Sequence, residues 1–351
     1  MLVVSLGVAT GAAALGACGL EVVGDDVLGA TPDGTSRSGE DGGKGDAGSS
    51  EPAVDDPGTV DGASCSGTLC DGKCVDTATN ALHCGGCAKP CAANEVCNSG
   101  VCTPPCPAKQ VPCNGTCCAG LCAANVCKVP ELWLKADEGV TTNPFVWADQ
   151  SGKGRDVSQA ASPMTPTVVQ GALAGRPVLR FANGQRLQGP DVQGFQIGKG
   201  DLAWFHVSKS SGNASDRNQV FGTIRNGPPF RGMTAGFGPQ DRPYGLLREG
   251  DGNGKEVFLR GADGSLDWLV VDLRRMNGMA ELRRNGTVIA SATSNHDVSG
   301  GNIMIGTERV DGTEYLTGDV AEILVFRGTF SDAERAAVTK YLADRHQITV
   351  P

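Results

Sequence analysis

Leu202-Ala203-Trp204-Phe205-His206-Val207-Ser208 alternates two sets of side chains along an extended backbone. Ala203, Phe205 and Val207 fall on one face, and Leu202, Trp204 and His206 fall on the other. Runs of the same kind recur around it at 132–135, 167–170, 178–181, 220–224, 257–260, 268–273, 302–306 and 320–326, separated by Gly-rich turns. Asn277-Gly278 and Asn285-Gly286 sit between such runs and predict tight type I′ hairpins, because both central positions of that turn need positive φ. The chain has 51 glycines in 351 residues, about twice average usage, as a turn-rich all-β protein requires. Residues 129–351 are long enough for one antiparallel β-sandwich. A single helix closes the chain. Ser331 and Glu334 form an S-x-x-E capping box with Phe330 before it as a staple, and Val338, Tyr341, Leu342 and Ile348 are placed to pack on the sandwich.

All 15 cysteines precede this unit. Fourteen crowd into residues 64–128: Cys65, Cys70, Cys74, Cys84, Cys87, Cys91, Cys97, Cys102, Cys106, Cys113, Cys117, Cys118, Cys122 and Cys127. Such density marks a disulfide-stapled module in an oxidising compartment. The number is even, so all can pair, but spacing does not give the connectivity. The adjacent Cys117 and Cys118 are expected to bond to different partners. A zinc site is the competing reading, since His83, Cys84 and Cys87 supply three ligands. Structural zinc sites usually need two such pairs, and only one C-x2-C is present. Residues 70–102 resemble the cysteine-rich repeats of the Stig1 type in their G-K-C-V-D, H-C-G-x-C and C-x5-C-x-x-G-x-C elements.

Residues 1–18 carry no charge and end in Leu15-Gly16-Ala17-Cys18. This resembles the lipobox of bacterial lipoproteins, which implies a signal peptide and a lipid anchor on Cys18. Gly7, Gly11 and Gly16 argue against an uncleaved membrane helix. Gly19 follows the cysteine in place of the aspartate associated with inner-membrane retention, which implies the outer membrane or cell surface. Residues 19–63 hold eleven acidic residues against Arg37 and Lys44, so this segment alone carries the chain's net charge of −9. It has almost no large apolar residue after Leu28 and reads as a disordered tether, spanning roughly 35–40 Å as a coil. The rest is neutral overall, which excludes nucleic acid as a partner, because phosphate binding needs clustered Lys and Arg.

The C-terminal unit resembles the concanavalin A-like, laminin G-like jelly rolls of bacterial surface proteins. The resemblance rests on Leu132-Trp133-Leu134-Lys135-Ala136-Asp137, Trp147-Ala148-Asp149-Gln150-Ser151-Gly152 and Gly175-Arg176-Pro177-Val178-Leu179-Arg180-Phe181. Towards the C-terminus it adds Gly318-Asp319-Val320-Ala321-Glu322-Ile323 and Ser331-Asp332-Ala333-Glu334-Arg335. It implies two antiparallel sheets, often with calcium at one rim and a ligand face on the other side. No cofactor is required, and calcium is the one the resemblance allows.

No catalytic set stands out. Glycan hydrolysis needs two carboxylates aimed at one bond. Asp319 and Glu322 are three apart, which on a regular strand sends them to opposite faces. Glu322 is expected to share its face with Val320, Leu324 and Phe326, as a structural hydrogen-bonding acid. Asp149 is expected to brace its turn through backbone bonds. Asp251-Gly252-Asn253-Gly254-Lys255 begins like a calcium loop but puts Lys255 at a ligand position. The segment 227–245 reads as a long Pro-rich recognition loop, and its Phe230 with Arg231 and Tyr244 with Arg242 are the ligand-binding candidates. The first functional reading is an exported, lipid-anchored envelope protein whose jelly roll binds a glycan or an extracellular protein. A carbohydrate-active hydrolase or lyase is the second, and a purely structural envelope protein the third.

Overall fold

The computed structural model describes residues 59–351 apart from 61–62, 66, 93–94, 109, 114–115, 125, 183, 192–194 and 213–216. The leader with Cys18 and nearly all of the tether lie outside the described residues. The cysteine region is a chain of three-residue hairpins such as Val96–Asn98 with Val101–Thr103 and Leu121–Ala123 with Val126–Lys128. Strands this short bury too little apolar surface to hold themselves, and covalent staples replace the missing core. The pairs are Cys65–Cys74, Cys70–Cys87, Cys84–Cys97, Cys91–Cys102, Cys106–Cys117, Cys113–Cys122 and Cys118–Cys127. No bond links the block ending at Cys102 to the block starting at Cys106. The adjacent Cys117 and Cys118 do take different partners. Cys84 and Cys87 are both in disulfides, and His83 Nδ1 accepts from the Ala88 amide at 3.1 Å, so this trio is not a zinc site.

Two antiparallel sheets form the sandwich. The first runs edge to edge through Thr167–Leu173, Arg176–Phe181, Gly318–Arg327, Leu202–Ser210, Leu269–Met276, Met279–Arg284 and Thr287–Thr293, and Leu132–Lys135 also pairs with Gly318–Arg327. The second runs through Val140–Thr142, Phe145–Trp147, Val157–Gln159, Leu187–Asp191, Asn302–Ile305, Asn218–Gly222, Gly232–Gly238, Arg242–Arg248 and Glu256–Arg260. Asn277, Gly278, Asn285 and Gly286 all have positive φ, giving the two hairpins their tight turns.

Leu202–Ser210 lies at the centre of the first sheet and is covered on both faces. Leu202 and Trp204 enter the core between the sheets with Leu134, Trp147, Phe237, Leu273 and Val325. Ala203, Phe205 and Val207 enter a second core with Leu324, Phe326, Phe330, Val338 and Leu342, beneath the helix Asp332–His346. The helix begins at a complete capping box of Ser331 and Glu334. Phe330 packs on Phe326 and Phe205, with ring centroids 4.8 and 5.7 Å away, while the staple position N4 holds Arg335, which points into the sheet. Tyr341 and Ile348 pack at the margin of this core.

Leu121 and Ala123 of the second cysteine block belong to the same outer core. Lys128 pairs with Glu334 at 2.7 Å and holds its ammonium 5.2 Å from the Phe330 ring centroid. The described residues form one compact unit. Among the described residues no helix is long and apolar enough to cross a bilayer.

Candidate ligand-binding face

Alternation on the last two strands of the second sheet decides what it shows on its outer side. Leu247, Val257 and Leu259 turn into the core. Tyr244, Leu246 and Arg248 turn outward, and so do Glu256, Phe258 and Arg260. Phe258 lies opposite Leu246 in register. It remains 39% exposed, and its ring is backed by Tyr244 at 5.0 Å. The guanidinium groups of Arg217 and Arg260 lie 5.8 and 5.9 Å from its centroid. The ring is therefore partly covered by Tyr244 and the two guanidinium groups, and what stays exposed of it is the apolar surface a ligand can reach.

The segment 306–317 crosses the same side. The Gly306 amide donates to Val220 O at 3.0 Å, and the Ile224 amide to Glu308 O at 3.0 Å. A Cβ on Gly222 would lie 2.5 Å from Glu308 Cα, so glycine there lets the segment lie flat on the strand. This cover brings Glu308, Arg309 and Glu314 onto the face. Glu314 accepts from Gln219 Nε2 at 2.5 Å. Gln219 Oε1 in turn accepts from Thr234 Oγ1 and from the Tyr244 hydroxyl. Burial, reinforced by Glu314, pushes the Tyr244 hydroxyl well above the usual phenol range. Burial and then Glu314 likewise push the Glu308 carboxyl up. Arg309 pairs with Glu308 and Asp311, and its guanidinium lies 5.0 Å from the Phe230 centroid. Arg248 approaches the same ring at 5.5 Å. The face thus carries two rings, each flanked by two guanidinium groups, with carboxylates interleaved.

The four residues picked from sequence divide on this face. The segment 227–245 is not one irregular loop. It contains the strand Gly232–Gly238, the turn Pro239–Asp241 and the start of Arg242–Arg248. Its glycines disguised the strand, and one has a packing reason: a Cβ on Gly236 would lie 2.0 Å from Asn218 O. Phe230 sits in the arginine-flanked position. Tyr244 is fully buried beneath Phe258, with its hydroxyl committed to Gln219. Arg231 is tied to Asp297 at 3.0 Å and to Glu249 O at 3.0 Å. Arg242 opens the strand two residues before Tyr244 and is half-buried. Phe258 was missed, although Glu256-Val257-Phe258-Leu259-Arg260 carries the signal: its one aromatic falls on the polar face of the alternation.

The acids weighed for catalysis are engaged elsewhere. Glu322 is fully buried on the other sheet. It accepts from Trp133 Nε1 at 2.7 Å and Arg345 Nε at 3.1 Å, and meets His346 Nε2 at 2.8 Å. It clasps the first strand, the last strand and the helix together. Register slips by one residue between Val207 and Ser208, leaving Ala321 as a bulge. The bulge overturns two expectations from strict alternation. Val320 faces the inter-sheet core, opposite to Glu322, and Asp319 shares the outer side with Glu322. Asp319 is nonetheless taken by Arg180 at 2.7 and 2.9 Å, so the two acids do not converge. Asp149 accepts from the Trp133, Ser151 and Arg155 amides and the Ser151 hydroxyl, bracing its turn as expected.

By sequence, no family model and no curated protein matches the chain. It is similar to parts of larger solved proteins. One is the Trypanosoma rangeli sialidase in complex with sialic acid, at 14% identity and a TM-score of 0.47, covering 65% of this chain and 36% of that one. Another is the botulinum neurotoxin serotype D ligand binding domain in complex with N-acetylneuraminic acid, at 15% identity and 0.47, covering 61% and 51%. A third is the binding domain of Paraclostridial Mosquitocidal Protein 1, at 12% and 0.46, covering 60% and 52%. The chain thus spans between about a third and a half of the length of these proteins.

Proposed function

We propose that this is an exported, lipid-anchored envelope protein whose sandwich binds a glycan on the outer side of the nine-stranded sheet. The observation that carries the reading is Phe258, a partly exposed ring on a buried ring, with two guanidinium groups over it. Sugar rings present C–H faces to such an aromatic and hydroxyls to the Arg and carboxylate groups beside it. Disulfide density of this order belongs to extracellular or cell-surface proteins, which supports the location. The lipobox-like Leu15-Gly16-Ala17-Cys18 supports the anchor.

A glycan array probed with the full chain, with calcium and with chelator, is expected to show binding without product release. Phe258→Ala should weaken that binding about tenfold, the cost of losing a central aromatic contact. Equal binding by the variant would sink the reading, released product would replace it with a hydrolase or lyase, and loss in chelator would assign a calcium ion. The anchor has its own test. Clickable fatty acid should label the wild type in cells and leave Cys18→Ala unlabelled, and equal labelling would remove the anchor from the proposal.

A further inference from the structure

The second cysteine block and the sandwich enclose a cleft of about 300 Å³ at their junction. Val111 and Gly120 form one wall, and Trp133, Lys135, Glu138 and Gln150 form the other. Three features distinguish it from a packing gap. The Lys135 ammonium lies 4.4 Å from the centroid of the Trp133 ring, with its side chain only 12% exposed. Its salt-bridge partner Glu138 is 52% exposed at the rim, so the pair runs from the interior to the mouth. Val111, on the other wall, is left 43% exposed. Asp149 also lines the cleft, but its oxygens are spent on the turn. What remains for a ligand is apolar surface from Trp133 and Val111, a donor at Lys135, an acceptor at Glu138 and the Gln150 amide.

We infer that this cleft is a second ligand site, taking a single pyranose ring. A ring of that size fits the volume. Adjacent hydroxyls on one ring satisfy an ammonium and a carboxylate together, donating to one and accepting from the other. The ring's C–H groups cover the apolar surface. Because each wall comes from a different part of the chain, the site exists only while the cysteine block is docked. It rests on different residues from the Phe258 face.

The test uses the full chain and methyl hexopyranosides, with methyl hexuronides as a second arm, read by tryptophan fluorescence and saturation-transfer NMR. A Kd on the order of 1 mM is expected for so small a ligand. Val111→Trp should fill the cleft and abolish binding. Glu138→Gln should weaken it about tenfold, and Phe258→Ala should leave it unchanged. A hexuronide preference would assign Lys135 the dominant role, and a hexoside preference the Lys135–Glu138 pair. Absence of binding by both probes, or unchanged binding by Val111→Trp, overturns the site. Loss of binding in Phe258→Ala alone would return the sugar to the outer face.

Discussion

Replacing Arg335 by Met is expected to destabilise the full chain by about 3–5 kcal/mol, the penalty for stranding buried charge. Arg335 rises from the helix into the outer side of the first sheet, where neither it nor Asp272 is exposed. Its Nε donates to Asp272, its Nη1 reaches Glu281 at 3.2 Å, and its Nη2 donates to Glu281 O at 2.9 Å. Without the guanidinium, Asp272 stays buried with no strong partner, and the helix loses its central attachment. Urea unfolding should show the midpoint fall with little change in slope. A second variant keeps the argument testable. Arg335→Met with Asp272→Leu should recover much of the loss, because two apolar groups leave no charge unpaired. A midpoint equal to wild type in Arg335→Met would show that the clasp contributes nothing.

Acid is expected to unfold the sandwich through His206. Its imidazole is buried in the inter-sheet core, stacked on Trp204 at 5.6 Å and edge-on to Phe237 at 6.3 Å. Nδ1 bonds to Ser208 Oγ at 2.8 Å, and Nε2 has no partner. Burial lowers its pKa from 6.5 to about 3. The unfolded chain therefore binds a proton that the folded chain refuses. Stability from this group is fully present above pH 6.5 and is lost as pH falls from there towards 3, by up to roughly 4 kcal/mol. Asp272 acts in the opposite sense. Burial raises its carboxyl to about 6, so its contribution is present below the unfolded value of 3.8 and is lost as pH rises through 6. The difference between wild type and His206→Gln cancels the Asp272 effect. That difference in unfolding free energy should shrink steadily from pH 7 to pH 4, and a flat difference would rule out His206 as the acid-sensitive group.

Elements governed by local chemistry were legible in the sequence. Residues 202–208 announced a strand by their alternation, and packing buries both of its faces. The two Asn-Gly steps announced their hairpins because few residues tolerate positive φ. Ser331 and Glu334 announced the helix start because the cap is made within four residues. The disulfide-rich segment followed from cysteine density alone. Around Phe258 the reading was partial: Phe230 and Tyr244 were both taken for loop residues, and Tyr244 instead lies in a strand as the buried support of Phe258.

What only the tertiary structure decided depends on contacts between distant segments. Disulfide connectivity is one case, since fourteen similar thiols carry no label for their partners. The bulge at Ala321 is another. One extra residue in a pairing reverses every face assignment beyond it, and the extra residue shows only when the partner strand is in place. The docking of Leu121 and Ala123 into the outer core, and the crossing of 306–317 over Gly222, bring together residues more than eighty positions apart. Sequence by itself determined the alternating strands such as 202–208, the Asn-Gly turns, the helix cap and the presence of a stapled segment, because each is signalled by residues close along the chain. The outer face around Phe258 and the junction cleft were decided by packing, because their walls meet only after the sheets have closed.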